Sequence, residues 1–433
     1  MRDPDGLPRR LPTVLTDRVL IGFCRVSDMT IRVELDFPHR LDEQRLRDAL
    51  ALARVAEPVL GCRFVDRAVW PYWQRVESPP SPLAICADEA TWATYRATGL
   101  DGFAGPQLEA GLWRAPDGDR LLLKVGHIAA DAGGTKQALG LVAGLYRTLA
   151  REPAHRPVPN LGGARGLDQV LRRVPPRAWW SGWRAWCREI GDGLPAEGNH
   201  HVPVADAPRE AWEVHSLDLD RDHVARLKEL GRPADATLND LLVAAFFRAQ
   251  ARLANWNGRS QLRISTTVDL RRYLPGRRAG GICNLSCFDY PNLGNDLGDT
   301  FAHTLSRVVA HTRARKADWI GLSGAMGMAV VLKRLPHVLV REFVPGLVRA
   351  GFRRGVMTDG LTNMGEIPRE AATFDQPARG ARLLVPPGEP PVFVPGISGY
   401  DGTLSLSLGT RPGSLGDVTG RQWLAAMAGE LPA

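Results

Sequence analysis

Residues 121–134 read Leu-Leu-Leu-Lys-Val-Gly-His-Ile-Ala-Ala-Asp-Ala-Gly-Gly, and the fold prediction starts from this stretch. The apolar run at its beginning predicts a buried strand. The two closing glycines are expected to relax the backbone before a long helix over 135–149, where apolar side chains recur at helical spacing. His127 therefore lies between a strand and a helix. A neutral imidazole there can accept a proton from an amine or hydroxyl at physiological pH.

Strands and helices alternate on both sides of this stretch. Alternating apolar and polar residues predict a strand at 29–36. Thr237 with Asp240 three residues later is typical of a helix start. Other predicted strands lie at 59–65, 70–76, 213–219, 262–270, 281–290, 382–385 and 403–409, and other helices at 41–54, 237–253, within 298–355 and from 420. The class is therefore α/β (α+β).

A change of composition divides the chain. Residues 151–210 hold several prolines and a stretch rich in Trp and Arg. A chain of 433 residues is long enough for two sizeable cores. We therefore predict an N-terminal lobe at 1–180, a linker at 181–210 and a C-terminal lobe at 211–433.

Composition excludes several classes of protein. With 44% hydrophobic and 24% charged residues, the chain is ordinary for a globular protein. No run approaches the roughly 20 apolar residues of a membrane helix, and the N-terminus lacks a secretory signal, so we expect a cytoplasmic protein without stable membrane insertion. The net charge of +8 comes from scattered arginines, which argues against nucleic-acid binding. A solvated surface and a face for an acidic partner both remain open.

Motifs for other chemistries are missing from the sequence. It contains no Gly-x-x-x-x-Gly-Lys loop, no dinucleotide fingerprint and no Gly-x-Ser-x-Gly elbow, which argues against kinases, Rossmann oxidoreductases and serine hydrolases. The six cysteines form no Cys-x-x-Cys pair, so buried free thiols are expected rather than a metal site or a disulfide framework.

Several short segments carry a family resemblance. They are Gly-His-Ile-Ala-Ala-Asp-Ala-Gly at 126–133, Ala-Glu-Pro-Val-Leu-Gly-Cys-Arg-Phe at 56–64, Thr-Leu-Asn-Asp-Leu-Leu at 237–242, Val-Asp-Leu-Arg-Arg-Tyr-Leu at 268–274, Gly-Ile-Cys-Asn at 281–284 and Thr-Asn-Met-Gly at 362–365. In this order they resemble the condensation domains of nonribosomal peptide synthetases. The wider group is the chloramphenicol acetyltransferase superfamily, with polyketide-associated acyltransferases and wax ester synthases. The family signature is His-His-x-x-x-Asp-Gly; here Gly126 replaces the first His, and the Gly is displaced to Gly133.

The resemblance implies two acetyltransferase-like lobes arranged as a V-shaped pseudo-dimer, with a tunnel between them. His127 would face the tunnel. An acyl thioester, on coenzyme A or on the phosphopantetheine of an acyl or peptidyl carrier protein acting in trans, would enter from one side as co-substrate. A small-molecule amine or hydroxyl acceptor would enter from the other. No tightly bound cofactor and no metal are expected.

Catalytic roles follow from the signature. His127 is the candidate general base. Asp131 either polarises His127 or holds the loop by pairing with an arginine, and the resemblance favours the second. The family's arginine position is Gly61 here. The candidates for the ion pair are therefore Arg63, Arg271 and Arg272.

Three further residues are candidates for the site. Gly133 either supplies a backbone N–H to a developing oxyanion or is a plain glycine at a helix start. Asn284 either binds the acceptor or ties down a strand. Asn363, as a second substrate-binding candidate, is expected to form a turn with Gly365.

These observations predict a stand-alone condensation-like acyltransferase of natural-product biosynthesis, forming an amide or an ester from a thioester donor. Two alternatives stay open. The altered signature could mark an inactive module that binds a partner, or the same tunnel could carry out a cyclisation or hydrolysis.

Other conspicuous stretches fit less well. His200-His201 with Asp206 mimics the signature with the wrong spacing, and a solvated loop is expected there rather than a metal site. The Trp-rich stretch at 179–186 favours a linker helix across both lobes over a membrane-surface helix. Residues 335–354 are apolar with basic edges, and a core-facing helix is expected over a contact with lipid or a carrier protein.

Overall fold

The structure is a computed structural model that describes residues 6–25, 27–193, 199–205, 207, 212–317, 319–353, 358–390 and 392–432. Its helices are α1 (Leu15–Cys24), α2 (Glu43–Ala56), α3 (Glu89–Ala97), α4 (Ala132–Leu149), α5 (Asp168–Leu171), α6 (Pro176–Gly193), α7 (Arg221–Gly231), α8 (Leu238–Leu253), α9 (Phe301–Ala317), α10 (Leu322–Gly327), α11 (His337–Arg353) and α12 (Gly420–Gly429). Its strands are β1 (Arg10–Pro12), β2 (Thr30–Phe37), β3 (Cys62–Val65), β4 (Tyr72–Arg75), β5 (Leu83–Cys86), β6 (Leu108–Ala115), β7 (Gly118–Gly126), β8 (Glu213–Leu219), β9 (Leu262–Arg263), β10 (Ser265–Asp269), β11 (Ser286–Asp289), β12 (Asn292–Gly294), β13 (Gly360–Glu366), β14 (Gly380–Leu384), β15 (Gly396–Tyr400) and β16 (Thr403–Thr410).

The first half of the chain is built on a sheet with the strand order β14-β2-β7-β6-β5. Strands β2 and β7 pair antiparallel over their whole length, from Thr30 opposite Gly126 to Phe37 opposite Asp119. Alternate side chains on these strands, including Val33, Leu35 and Leu123, lie in one buried core together with residues of α2 and α4. Because strand side chains alternate between faces, this pattern gives β7 one face in the core and fixes its register.

The second half contains a sheet with the order β11-β10-β13-β15-β16-β8. Strand β13 is parallel to both of its neighbours, while β16 is antiparallel to its two neighbours, β15 and β8. A separate core packs around Phe246 of α8 and Trp423 of α12. The mixed α/β class predicted from the sequence is confirmed.

One strand connects the two sheets. Strand β14 follows β13 in the chain, yet it pairs antiparallel with β2, from Gly380 opposite Asp36 to Leu384 opposite Arg32. Residues after 211 therefore complete the sheet that carries His127. The lobe boundaries at 180 and 210 remain a prediction.

Several predicted elements form with shifted ends. The strand predicted at 59–65 is a 3₁₀ turn at Pro58–Gly61 followed by β3, because proline starts a helical turn well. The strand predicted at 281–290 is confined to β11. The helix predicted from 135 begins at Ala132, so Gly133 and Gly134 lie inside its first turn rather than before it.

Candidate functional site

His127 is placed by the end of strand β7. Its backbone N–H donates to the carbonyl oxygen of Met29, the residue just before β2, at 2.9 Å. The next residue, Ile128, is buried in the core, which anchors the turn leading to α4. The residue as a whole has intermediate solvent exposure. The strand pairing and the buried neighbour thus hold the ring at the edge of the core.

A hydrogen bond to Asn284 fixes the imidazole tautomer. The Asn284 amide nitrogen donates to the Ile128 carbonyl oxygen at 2.9 Å, so its Oδ1 faces His127 Nδ1 at 3.1 Å. An amide oxygen only accepts, and Nδ1 must therefore carry a proton. This assignment from the hydrogen-bond network leaves the lone pair on Nε2.

Burial lowers the pKa of His127 below its ordinary value of 6.5, while the negative charge of Asp131 opposes part of this effect. The ring is therefore neutral at pH 7. A neutral ring with a protonated Nδ1 can accept a proton at Nε2, which a general base requires.

Asp131 is the N-cap of α4 and is almost fully buried. Its carboxylate accepts hydrogen bonds from the backbone N–H of Gly134 at 2.8 Å, the backbone N–H of Leu285 at 2.6 Å and the Ser286 hydroxyl at 3.1 Å. Since two of these donors belong to the second half of the chain, the cap of α4 also joins the two halves.

Arg271 completes the surroundings of Asp131. Its Nη1 lies 2.9 Å from the carboxylate, and its Nη2 donates to the Cys283 carbonyl oxygen at 2.8 Å. Both side chains of the pair are nearly inaccessible, at 4% and 2% exposure. Of the three arginine candidates, the structure brings Arg271 to Asp131; Arg63 donates to Gln74, and Arg272 is exposed.

The charges of this pair reinforce each other. Burial alone would raise the pKa of Asp131, but Arg271 and the hydrogen bonds from backbone N–H groups more than offset it and hold that pKa below its ordinary value. Burial likewise disfavours charged Arg271, yet the Asp131 carboxylate raises the pKa of this guanidinium. The two groups therefore stay charged, as a buried ion pair must to remain stable.

Gly133 lies in the first turn of α4, directly beneath the Arg271 guanidinium. A Cβ at this position would overlap Arg271 Nη1 and would lie 3.1 Å from Asp269 Oδ2. The structure thus gives a steric reason for the glycine. Its backbone N–H lies at the N-terminus of a long helix, where partial positive charge accumulates.

Asn363 lies in strand β13 rather than in a free turn. Its amide nitrogen donates to Asn239 Oδ1 at 2.9 Å, and its Oδ1 accepts from the backbone N–H of Gly365 at 2.9 Å. Gly365 has φ +71°, where the pairing of β13 with β15 is irregular. These hydrogen bonds connect Asn363 to α8, and not to the His127 group.

Lys136 of α4 is a polar residue of this region that sequence reasoning missed. Its Nζ donates to the Met364 carbonyl oxygen at 2.7 Å, and burial lowers the pKa of its ammonium. It thereby links α4 to β13, 228 residues further along the chain. A lysine in an amphipathic helix gives no local signal of such a distant partner.

The His200-His201 stretch is irregular backbone, as expected of a loop, but both residues are only partly exposed. The backbone N–H of His200 donates to Gln261, and that of Val202 donates to the buried Asp359 at 2.7 Å. Asp206 lies outside the described residues. Among the described residues, no group of three His, Cys, Asp or Glu side chains could hold a metal ion.

The Trp-rich stretch and the region after 335 are both helical. Helix α6 packs on α10, with Gly182 against Met326 and Trp186 against Gly327, while Trp180 is 65% exposed. In α11, Val340 is buried and Leu339 and Phe343 are exposed, so only part of this helix faces the core. No helix in the described part of the chain is long and apolar enough to cross a membrane.

Comparison with known proteins shows which solved structures share this fold. No family model and no curated protein matches the sequence. Among solved structures, the first condensation domain of the CDA synthetase has 17% identity and a TM-score of 0.68, covering 98% of this chain and 94% of that one. Polyketide synthase associated protein 5 from Mycobacterium tuberculosis has 16% identity and a TM-score of 0.63, with coverages of 97% and 98%.

A third similar structure is the trichothecene 15-O-acetyltransferase from Fusarium sporotrichioides, with 13% identity and a TM-score of 0.70, covering 98% of this chain and 95% of that one. At these identities the likeness concerns the fold, and it extends over nearly the whole of each chain. The resemblance predicted from the sequence is thus confirmed at that level: this chain has the two-lobed, chloramphenicol-acetyltransferase-like fold of condensation domains and related acyltransferases.

Proposed function

We propose that this protein is an acyltransferase that joins a thioester-bound acyl group to an amine or hydroxyl acceptor in natural-product biosynthesis. The observation that carries the proposal is the state of His127. Its Nδ1 proton is held by Asn284 and its pKa is lowered, so Nε2 carries the lone pair that a base needs at neutral pH.

His127 would act as general base. Nε2 takes the proton from the acceptor N–H or O–H as that atom attacks the thioester carbonyl carbon. The tetrahedral intermediate collapses with cleavage of the C–S bond, and the imidazolium returns the proton to the departing thiolate. Proton transfer of this kind typically contributes about 10²- to 10⁴-fold in rate.

Asp131 and Arg271 act through position rather than through proton transfer. The Asp131 carboxylate already accepts from Arg271, two backbone N–H groups and Ser286. This arrangement fixes the turn that follows His127 and the start of α4. It supports a structural role for Asp131, which would anchor the loop, over a role as a triad member that polarises His127.

The start of α4 is the part of the site suited to an oxyanion. Gly133 lies in the first turn of this helix, and a helix N-terminus favours developing negative charge. Asn284 would stay a positioning residue, since both ends of its amide are used within the protein.

The donor would be a thioester of coenzyme A or of a carrier protein acting in trans. Both present the same phosphopantetheine arm, and neither is held as a resident cofactor. The likeness of the fold to condensation domains and to an O-acetyltransferase supports both donors and both acceptor classes.

The experiment is a transfer assay with intact-mass detection. The purified chain is incubated with acylated carrier proteins or acyl-coenzyme A and with panels of amines and alcohols. His127→Ala is expected to lower the transfer rate by about 10²- to 10⁴-fold. His303→Ala, the same substitution on the exposed face of α9, serves as control and should leave the rate unchanged.

Full transfer activity in His127→Ala would overturn the proposal. Binding of an acyl carrier without transfer, equally strong in His127→Ala and Asp131→Asn, would indicate a binding module instead. Release of free acid or of a cyclic product that depends on His127 would indicate hydrolysis or cyclisation.

A further inference from the structure

The space beside Gly126, which stands at the position of the first signature histidine, is filled here by the side chain of Gln107, the residue just before β6. Gly126 ends β7, and its backbone N–H donates to the Gln107 carbonyl oxygen at 2.9 Å. A Cβ at Gly126 would overlap the Gln107 side-chain oxygen Oε1. Any residue larger than glycine at 126 therefore requires Gln107 to move.

Gln107 has little room to move. The residue is 0% exposed. Its Nε2 donates to the carbonyl oxygens of Gly102 at 2.9 Å and Cys62 at 3.2 Å, and its backbone N–H donates to Leu60 at 2.8 Å. The side-chain amide thus ties the turn before β6 to the start of β3, and the backbone carbonyl of Gln107 ties both to the end of β7.

The remaining polar atom of Gln107 has an unusual environment. Its Oε1 is buried, accepts no hydrogen bond within the described residues, and faces the Cα of Gly126. A buried acceptor without a donor costs free energy. An aliphatic side chain would avoid that cost but would lose the donor contacts of Nε2, so the amide is explained by what Nε2 holds in place.

We propose that Gln107 is a positioning residue that fills the space left by the missing histidine and, through Gly126, holds His127 at the end of β7. The proposal rests on His127 being the base of the proposed reaction. Its geometric part, that residues 107 and 126 compete for one volume next to His127, stands apart from any substrate.

The first experiment tests the shared volume by a double-mutant cycle. Gly126→Ala alone inserts a methyl group where Oε1 lies and is expected to lower the Tm by roughly 1–3 °C, as overpacking does in a chain of this length. In the double variant with Gln107→Ala, the added methyl group should cost much less. The loss of Tm in the double variant should therefore be clearly smaller than the sum of the losses in the two single variants.

The second experiment asks whether Gln107 acts on His127. The imidazole signal is assigned by its loss in His127→Gln, and its pKa is followed by NMR. In Gln107→Ala, the side chain beside Gly126 no longer excludes water from the end of β7, and the pKa of His127 should rise towards its ordinary value. No substrate is needed, so failure of this test is distinct from failure of the proposed function.

Gln250→Ala is the matched control. Gln250 is also a 0% exposed glutamine whose Nε2 bridges a backbone carbonyl and a second group, and its Oε1 is also without a partner within the described residues. It lies in α8, in the other half of the molecule. Its replacement should lower the Tm comparably and leave the pKa of His127 unchanged.

Two results would overturn the proposal. Additive Tm losses in the cycle would mean that Gln107 and Gly126 do not share space. An unchanged pKa of His127 in Gln107→Ala, or an equal change in Gln250→Ala, would mean that Gln107 contributes packing alone. In the transfer assay, the proposal further requires Gln107→Ala to lower kcat with little change in KM.

Discussion

Asp131 and Arg271 form the buried ion pair on which the geometry of the site depends. Removing one partner leaves an uncompensated buried charge, which typically costs about 3–5 kcal/mol. Arg271→Ala is therefore expected to lower the free energy of unfolding by that amount in urea titrations at pH 7. Arg272→Ala, the exposed neighbour, should change it by no more than about 0.5 kcal/mol. Equal losses in the two variants would contradict the assignment of the pair.

His127 gives the site a pH dependence of known sign. In the unfolded chain this histidine protonates near its ordinary pKa of 6.5, whereas burial lowers the pKa in the folded protein. Below pH 6.5 the unfolded state therefore binds more protons, and stability must fall as the pH falls. The wild-type protein should lose more stability between pH 7.5 and 5.5 than His127→Gln does. Parallel curves for the two proteins would show that folding does not lower the pKa of the imidazole.

At the scale of single residues, the sequence could supply the candidates but not their contacts. His127 and Asp131 could be chosen as candidates from the motif at 126–133, and the three arginines from the family resemblance. The sequence could not show that Arg271, rather than Arg63 or Arg272, pairs with Asp131. That choice depends on how the 3₁₀ turn at Leu270–Tyr273 packs over Gly133. The contact between Gly126 and Gln107 could not be predicted from local sequence patterns either, since a glycine does not indicate which side chain occupies the space beside it.

Among the elements, β14 comes from the second half of the chain but pairs in the first sheet, and its side chain Leu383 lies in the core. This residue is fully buried in the core of the first sheet, opposite Val33 of β2. Leu383→Ala is expected to lower the free energy of unfolding by about 2–5 kcal/mol and to speed hydrogen exchange of the β2 amides. Leu406→Ala in β16, equally buried in the second core, is the control and should affect β2 less. Equal protection of β2 in both variants would argue against β14 as a working part of that sheet.

Elements with strong local signals could be predicted, and elements defined by distant contacts could not. The cap Thr237 with Asp240 and the strand Glu213–Leu219 lie where the sequence places them. Strand β13 was missed because its sequence, Gly-Leu-Thr-Asn-Met-Gly-Glu, has neither alternation nor strong strand formers. The predicted strand at 281–290 was too long because Cys283 and Leu285 direct their backbone groups to Arg271 and Asp131 instead of to a neighbouring strand.

For the whole molecule, the position of β14 means that the first half of the chain cannot complete its own sheet. Without β14, residues 1–210 would expose the edge of β2, and an unpaired apolar edge promotes aggregation. We expect residues 1–210 to be insoluble or non-cooperative in thermal unfolding when produced alone. Co-expression with 211–433 should yield a complex in which β14 is supplied in trans and unfolding is cooperative.

The control for this experiment is the same co-expression with Arg382→Pro in the second fragment. Proline removes the backbone N–H of residue 382, which lies opposite Glu34, and cannot continue the ladder. Rescue by the unmodified fragment and not by this variant would show that strand pairing, rather than general contact between the halves, completes the sheet. Cooperative unfolding of residues 1–210 alone would instead show that the sheet carrying His127 is self-sufficient and that the linker at 181–210 separates two independent units.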